Sequence, residues 1–198
     1  NKYQVHEDEI AIGIIGRIVP VKNHRLFIDA LNFTLKNTKK KVRAFIIGDG
    51  ESRSEIENYC REKNIHFNTT ETLQKSAPLT FTSWIQEIDM ALAGLDIVAL
   101  TSLNEGTPVS LIEAQAASKP IVTTRAGGVE NVVMENKTAF ISETDDTVGF
   151  SRNMLELVEN DVLRTAFASK GWKNVEEKFH YTRLVNDMRN LYNSLLKS

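Results

Sequence analysis

The sequence predicts an α/β fold, a doubly wound parallel sheet of about six strands with helices on both faces and a helical C-terminal region. Three observations carry that expectation. Short β-rich runs ending in Gly, Thr or Ser alternate with longer stretches of helical period, the pattern of βαβ units. No convincing strand follows Ile141, which leaves the last third of the chain to helices. With 198 residues, 41% of them hydrophobic and 25% charged, the chain is long enough to bury one sizeable core, so a single domain over residues 1–198 is expected.

Taken in order, strands are expected at Ile10 to Gly16, Val42 to Gly48, Leu79 to Thr82, Asp96 to Thr101 and Pro120 to Thr123, with a short one at Ala139 to Ile141. Helices are expected at Asn23 to Lys36, Ser52 to Lys63, Ile85 to Ala93, Pro108 to Ser118, Asp145 to Glu159, Asp161 to Lys178 and Tyr181 to Leu196. Ser52 with Glu55 reads as a capping box, and Pro108 suits a first helical turn, where its missing N–H would have no partner anyway. The segment His66 to Pro78, rich in Thr, Asn, Ser and Gln and without a period, reads as an inserted loop. No internal repeat, heptad run or low-complexity tract is found.

Charge and cysteine content exclude several classes. The balance of 24 basic against 26 acidic residues, a net charge of -2, provides no field for nucleic acid or an anionic membrane, so a bound anion must be held by a local site. The single cysteine, Cys60, can form neither an internal disulfide nor a thiolate cluster, which fits a reducing cytoplasm. The Asn-x-Ser/Thr triplets at Asn32, Asn68 and Asn136 occur without any secretion signal and are read as incidental. No apolar run approaches the ~20 residues needed to span a bilayer. Because the chain opens on Asn1 and reaches a buried-looking strand soon after, it is expected to be a fragment lacking an N-terminal part.

In an open α/β sheet, ligands bind beyond the carboxyl ends of the strands. After the first strand comes Gly16-Arg17-Ile18-Val19-Pro20-Val21-Lys22-Asn23, where glycine permits close backbone approach and two cations precede a helix; this suits a phosphate, or else two solvated charges at a turn. After the second comes Gly48-Asp49-Gly50, in which Arg53 stands where a dinucleotide fingerprint needs its third glycine. That disfavours a nicotinamide cofactor and leaves a tight turn or a ligand contact. After the fourth comes the most informative stretch, Thr101 to Ala114. With a helix starting near Thr107 or Pro108, the amides from Gly106 to Val109 face the crevice and favour an anion. Glu105 and Glu113 flank that position. Glu113 falls in an otherwise apolar helix, where a carboxylate needs a partner. After the fifth, Ala126-Gly127-Gly128-Val129 either approaches a ligand or turns the chain. The histidines His6, His24, His66 and His180 are scattered, so no metal site is expected, and neither a Gly-x-Ser-x-Gly elbow nor a Walker loop is present.

Together these pieces resemble the C-terminal, donor-binding domain of the retaining GT-B glycosyltransferases of family 4, or group 1, over about residues Ile12 to Phe140. The resemblance is carried by G-R-x(4)-K-N at Gly16 to Asn23, I-I-G-D-G at Ile46 to Gly50, F-T-S-W at Phe81 to Trp84, D-I-V-A-L-T-S at Asp96 to Ser102, E-G-T-P-V-S-L-I-E-A at Glu105 to Ala114, and P-I-V-T-T-x-A-G-G-V-E at Pro120 to Glu130. It implies a Rossmann-like half of a GT-B fold that binds a nucleoside-diphosphate sugar, UDP- or GDP-linked, with no metal or other cofactor. Arg17, Lys22 and Glu105 would be the catalytic set, the two cations holding the diphosphate as it leaves. Gly16, Gly106, Thr107, Pro108 and Val109 would line the phosphate and sugar, and Glu113 would accept from the ribose. Gly48, Gly50, Ser83, Trp84 and Ile85 would surround the base.

By the same resemblance, residues 178–198 would cross towards an N-terminal acceptor domain, so the chain alone is expected to be inactive. The product would be a polysaccharide or glycoconjugate made with retention of configuration. The acceptor is unknown, no nucleic acid is implied, and the location would be cytoplasmic, with peripheral membrane association only through the other domain. The segment at 66–78, and Glu135-Asn136-Lys137-Thr138 in place of a glycine-rich turn, depart from the family pattern. A sugar-nucleotide 2-epimerase of the same fold and a non-catalytic nucleotide-sugar-binding module are the alternatives.

Overall fold

The computed structural model describes residues 3, 5–72 and 77–196. It contains a parallel sheet of seven strands, one more than expected: β1 (Glu9–Ile15), β2 (Lys41–Ile47), β3 (Phe67–Thr69), β4 (Leu79–Ser83), β5 (Ile97–Leu100), β6 (Ile121–Thr124) and β7 (Ala139–Ser142). Their spatial order is β3-β4-β2-β1-β5-β6-β7: β2, β4 and β3 lie on one side of β1, with β4 inserted inside β3, and β5, β6 and β7 follow outward on the other. The reversal of winding lies between β1 and β5, the place where open α/β sheets bind ligands, in a crevice at the carboxyl edge. The added strand corrects the reading of His66 to Pro78 as a loop throughout. Phe67–Thr69 pairs with Leu79–Phe81, and the Phe67 and Phe81 rings meet edge to face at 5.2 Å. Residues 73–76 of that segment lie outside the described ones.

Alternate residues on each strand face opposite layers. Ile12, Ile14, Ala44, Ile46, Ile97 and Ala99 point to one side, where they meet Phe27 and Leu31 of α1 (His24–Asn37), Ile56 and Cys60 of α2 (Arg53–Glu62), and Phe150 and Leu157 of α6 (Thr147–Glu159). Ala11, Phe45, Ile47, Val98 and Leu100 point to the other, against Leu92 of α3 (Ile88–Ala93), Leu111 and Ala114 of α4 (Val109–Ala116), and Val129 and Val132 of α5 (Val129–Val132). Each fully buried Ile, Leu or Phe contributes about 1.5–3 kcal/mol. Cys60 is wholly buried in this layer, and burial pushes its thiol up to about 12, so it is a packing residue with no ready thiolate.

Helix starts differ from expectation in ways that local backbone explains. Pro108, with φ -71 and ψ 97, is extended and caps α4 rather than lying in its first turn. Asn23, in the left-handed region at φ 46, separates a 3₁₀ turn at Pro20–Lys22 from α1. α3 starts three residues later than expected, after Glu87 at ψ 71. The capping box does not form: Ser52 makes no side-chain cap, and Glu55 is drawn instead to Arg25 at 2.9 Å.

After β7 the chain is helical, as expected, in α6, α7 (Asp161–Phe179) and α8 (Tyr181–Leu195). α7 is seated on α4 by a buried amide pair. Asn174 Nδ2 donates to Gln115 Oε1 and to the Val132 carbonyl at 2.8 Å, and Gln115 Nε2 donates to the carbonyls of Leu111 and Val132. Gly171 permits the approach, since a Cβ there would lie 2.8 Å from the Gln115 carbonyl oxygen. α8 has no buried residue. No helix among the described residues is long and apolar enough to cross a membrane.

Candidate functional site

The loop after β1 is fastened to the loop after β2. Gly16 donates its amide to the Ile47 carbonyl and Ile18 to that of Asp49, while Ser52 donates back to Ile18, each at 3.0 Å. Glycine is required at the crossing: a Cβ on Gly48, whose φ is +142, would lie 2.0 Å from the Gly16 oxygen, and one on Gly50 would lie 2.3 Å from that of Ile18. Gly48 and Gly50 therefore serve this backbone contact. The other end of the β1 loop is fastened to β5. Thr101 Oγ1 donates to the Lys22 carbonyl at 2.7 Å, and the Leu103 amide to that of Val21 at 2.8 Å. This brings Lys22 beside Glu105, with Nζ and Oε1 2.6 Å apart and side chains only 25% and 11% exposed.

Glu105 is held by a second donor, the buried Ser102 hydroxyl, at 2.5 Å from the same oxygen. Its other oxygen, Oε2, bonds to no described residue. The Glu105 backbone is held from behind by the loop after β6. Gly128 donates to the Glu105 carbonyl at 2.9 Å, and Cβ atoms on Gly127 and Gly128 would fall 2.1 and 1.7 Å from the carbonyl oxygens of Glu105 and Gly106. The glycine pair left open between ligand contact and turn is thus the brace of the Glu105 loop. A Cβ on Gly106 would meet nothing within 4 Å, so that residue faces open space.

The amides of Gly106, Thr107, Val109 and Ser110 donate to no described residue, and no side chain caps α4. They form a positive-ended, unfilled donor set next to the Lys22–Glu105 pair. One turn into α4, Glu113 is part-buried. It has neither ion pair nor side-chain hydrogen bond to a described residue, and burial raises its carboxyl above the usual range. The partner expected for it is not among the described residues. His24, at the start of α1, is buried with both ring nitrogens unpartnered, and burial, reinforced by the Lys22 charge, lowers it to about 4. It is a neutral ring beside Lys22 at physiological pH.

At the far end of the crevice, Ser83, Trp84 and Ile85 follow β4. The Gly48 amide donates to the Ser83 carbonyl at 3.0 Å, and Ser83 takes a left-handed φ of 55. Arg53 ties this loop to the preceding one: its Nη1 donates to Asp49 Oδ2 at 2.8 Å and to Ser83 Oγ at 2.6 Å, and its Nε to Glu57 at 2.9 Å. Burial works against the Asp49 charge, but the Gly50 amide and Arg53 outweigh it and hold the carboxyl below its usual range. Arg53 is the residue that the sequence reading missed. Its signal was visible, since it replaces a glycine and is spaced i, i+4 from both Asp49 and Glu57. Trp84 is 62% exposed beside this knot.

Not every expected residue converges. Arg17 is largely exposed and pairs loosely with Glu51 at 3.8 Å, not with Glu105. Arg125, after β6, is absorbed by Glu130, Glu135 and Glu143. Among the described residues no group of three or more His, Cys, Asp or Glu could hold a metal.

Comparison with known proteins bears on the family and the fold. The family profile described as glycosyl transferases group 1 matches residues 9–160. The poly(ribitol-phosphate) alpha-N-acetylglucosaminyltransferase of Staphylococcus aureus (strain COL) is 28% identical over 194 residues, 95% of this chain and 36% of that protein. Among solved structures, a point mutant of S. aureus TarM, in complex with fondaparinux, alpha-GlcNAc-glycerol and UDP, superposes with a TM-score of 0.81 at 25% identity. The match covers 96% of this chain and 36% of that one. The C-terminal domain of a group 1 glycosyl transferase, LpcC from Francisella tularensis, superposes with a TM-score of 0.72 at 25% identity over 86% of each chain. This chain therefore spans well under half of the full-length transferase it matches and most of an isolated C-terminal domain.

Proposed function

The chain belongs to the group 1 glycosyl transferases and has the Rossmann-like architecture of one GT-B half; from that premise we propose that it holds the nucleotide-sugar donor of a retaining transferase that builds a polysaccharide or glycoconjugate. The observation that carries the reading is the crevice between β1 and β5. There a lysine, a pinned glutamate and four unpartnered amides lie together at a helix N-terminus.

In this reading the α4 amides and Lys22 bind the diphosphate, and Arg17, free to swing from Glu51, adds a second cation as negative charge develops on the leaving nucleotide. The amides cost no reorganisation, because the glycine brace already fixes them. Glu113, which lacks a described partner, accepts from the ribose hydroxyls, and these offset the burial that raises its carboxyl. The base lies along the Gly48-Asp49-Gly50 turn and the Ser83 to Ile85 loop, with Trp84 exposed for stacking. Glu105 holds the sugar. It does so through the unoccupied Oε2, while Lys22 and Ser102 fix Oε1. UDP is the first nucleotide to test, since a relative of this chain is known bound to it.

Titration calorimetry tests the reading. The chain should bind UDP or GDP with a dissociation constant between micromolar and millimolar, about 4–8 kcal/mol. Lys22→Ala should weaken binding about tenfold or more. Equal affinity in the two proteins would remove Lys22 from the phosphate site.

A further inference from the structure

We propose that Glu105, paired with Lys22, is a charge gate that discriminates the sugar-bearing diphosphate from the free nucleoside diphosphate and so favours release of the spent nucleotide. The inference rests on the donor-site reading above. One ammonium here faces two anions, the Glu105 carboxylate it already touches at 2.6 Å and any phosphate that reaches the α4 amides.

Both partners of the pair are anchored near each other. The Lys22 backbone is tied to Thr101, and the Ser102 hydroxyl holds Glu105 Oε1 while the Ser102 carbonyl accepts from Thr124 Oγ1 at 2.6 Å. Gly127 and Gly128 close off the space behind the loop. A phosphate entering the amide cradle thus meets a lysine already paired with a carboxylate, and that braced carboxylate nearby.

The two ligands differ in what they bring to that carboxylate. In a nucleotide sugar the distal phosphate is a diester with one charge, and the attached hexose supplies hydroxyl donors for the unoccupied Oε2. A free nucleoside diphosphate ends in a monoester whose second pKa is about 6, so near neutral pH it carries close to one further negative charge and no hydroxyls there. Glu105 attracts the first ligand and repels the second.

The test is calorimetry of the 198-residue chain with UDP against UDP-glucose, and with GDP against GDP-mannose. In Glu105→Gln, which keeps size and removes charge, affinity for the free diphosphate should rise, and the preference for the sugar-bearing ligand should fall about tenfold. Glu105→Ala serves as a second neutral replacement, and ligand-free melting curves establish that each variant folds. Glu105→Asp, which retains the charge, should keep most of the wild-type preference. An unchanged ratio in both neutral variants would overturn the gate while leaving the donor site standing. Failure of the wild type to bind either pair would overturn the donor-site reading and the gate with it.

Discussion

The two ends of the crevice use their polar groups differently. At the β4 end, Arg53 donates to Asp49, Glu57 and Ser83, and the Gly48 amide donates to Ser83, so charges and donors are spent on one another. At the α4 end, four amides and the carboxylate of Glu113 have no described partner, and a braced glutamate shares its lysine. The first arrangement is what a scaffold needs, since satisfied groups rigidify a loop. The second leaves polar groups under-satisfied close to solvent, where a ligand can complete them.

Three substitutions probe that contrast, from the largest effect down. Gly128→Ala would drive a Cβ to within 1.7 Å of the Gly106 carbonyl oxygen, so the brace must move. A loss of about 2–4 kcal/mol is expected in urea denaturation, with nucleotide binding lost as well. A wild-type midpoint would show that the brace is soft. Arg53→Met unties the knot at the β4 end and should cost about 1–2 kcal/mol, because the groups it abandons can reach water. Its effect on nucleotide affinity should be smaller than that of Lys22→Ala, and the opposite order would mean that the knot, not the cradle, dominates binding.

Glu113→Gln should do the reverse for stability. The folded-state carboxyl is raised, so the fold favours the protonated form; the cost is present at neutral pH and disappears as pH falls below the unfolded value. Melting at pH 7 should therefore improve slightly, by under about 0.5 kcal/mol given its solvent exposure, with no gain near pH 4. Ribose-containing ligands should bind the variant less well. A variant less stable at pH 7 would mean that Glu113 has a stabilising partner in the free protein.

Much of this was legible in the sequence because the signals are local. β1, β2 and β5 are apolar runs that end at residues able to turn, and the amide cradle follows from Pro108 and the helical run after it. What was hidden depends on distance along the chain. Lys22 and Glu105 are 83 residues apart, and each was read as a ligand contact without sign of the pair they form. The Gly127–Gly128 brace was equally hidden, because a glycine required by another loop's carbonyl looks the same in sequence as one required by a ligand. β3 was missed because three residues in a polar segment carry too little periodicity, and it exists only through pairing with β4. The capping box failed because Arg25 on α1 competes for Glu55.

The sheet is bordered by short strands. β3 is three residues long and β7 four. Long apolar strands such as β1 and β2 are the kind that recruit other chains when they lie at a margin, and here both are interior. The placing of β1 and β2 in the middle of the sheet thus has a colloidal consequence. The segments most prone to intermolecular pairing are sealed on both sides, and the margins offer too few free backbone groups to template a fibril.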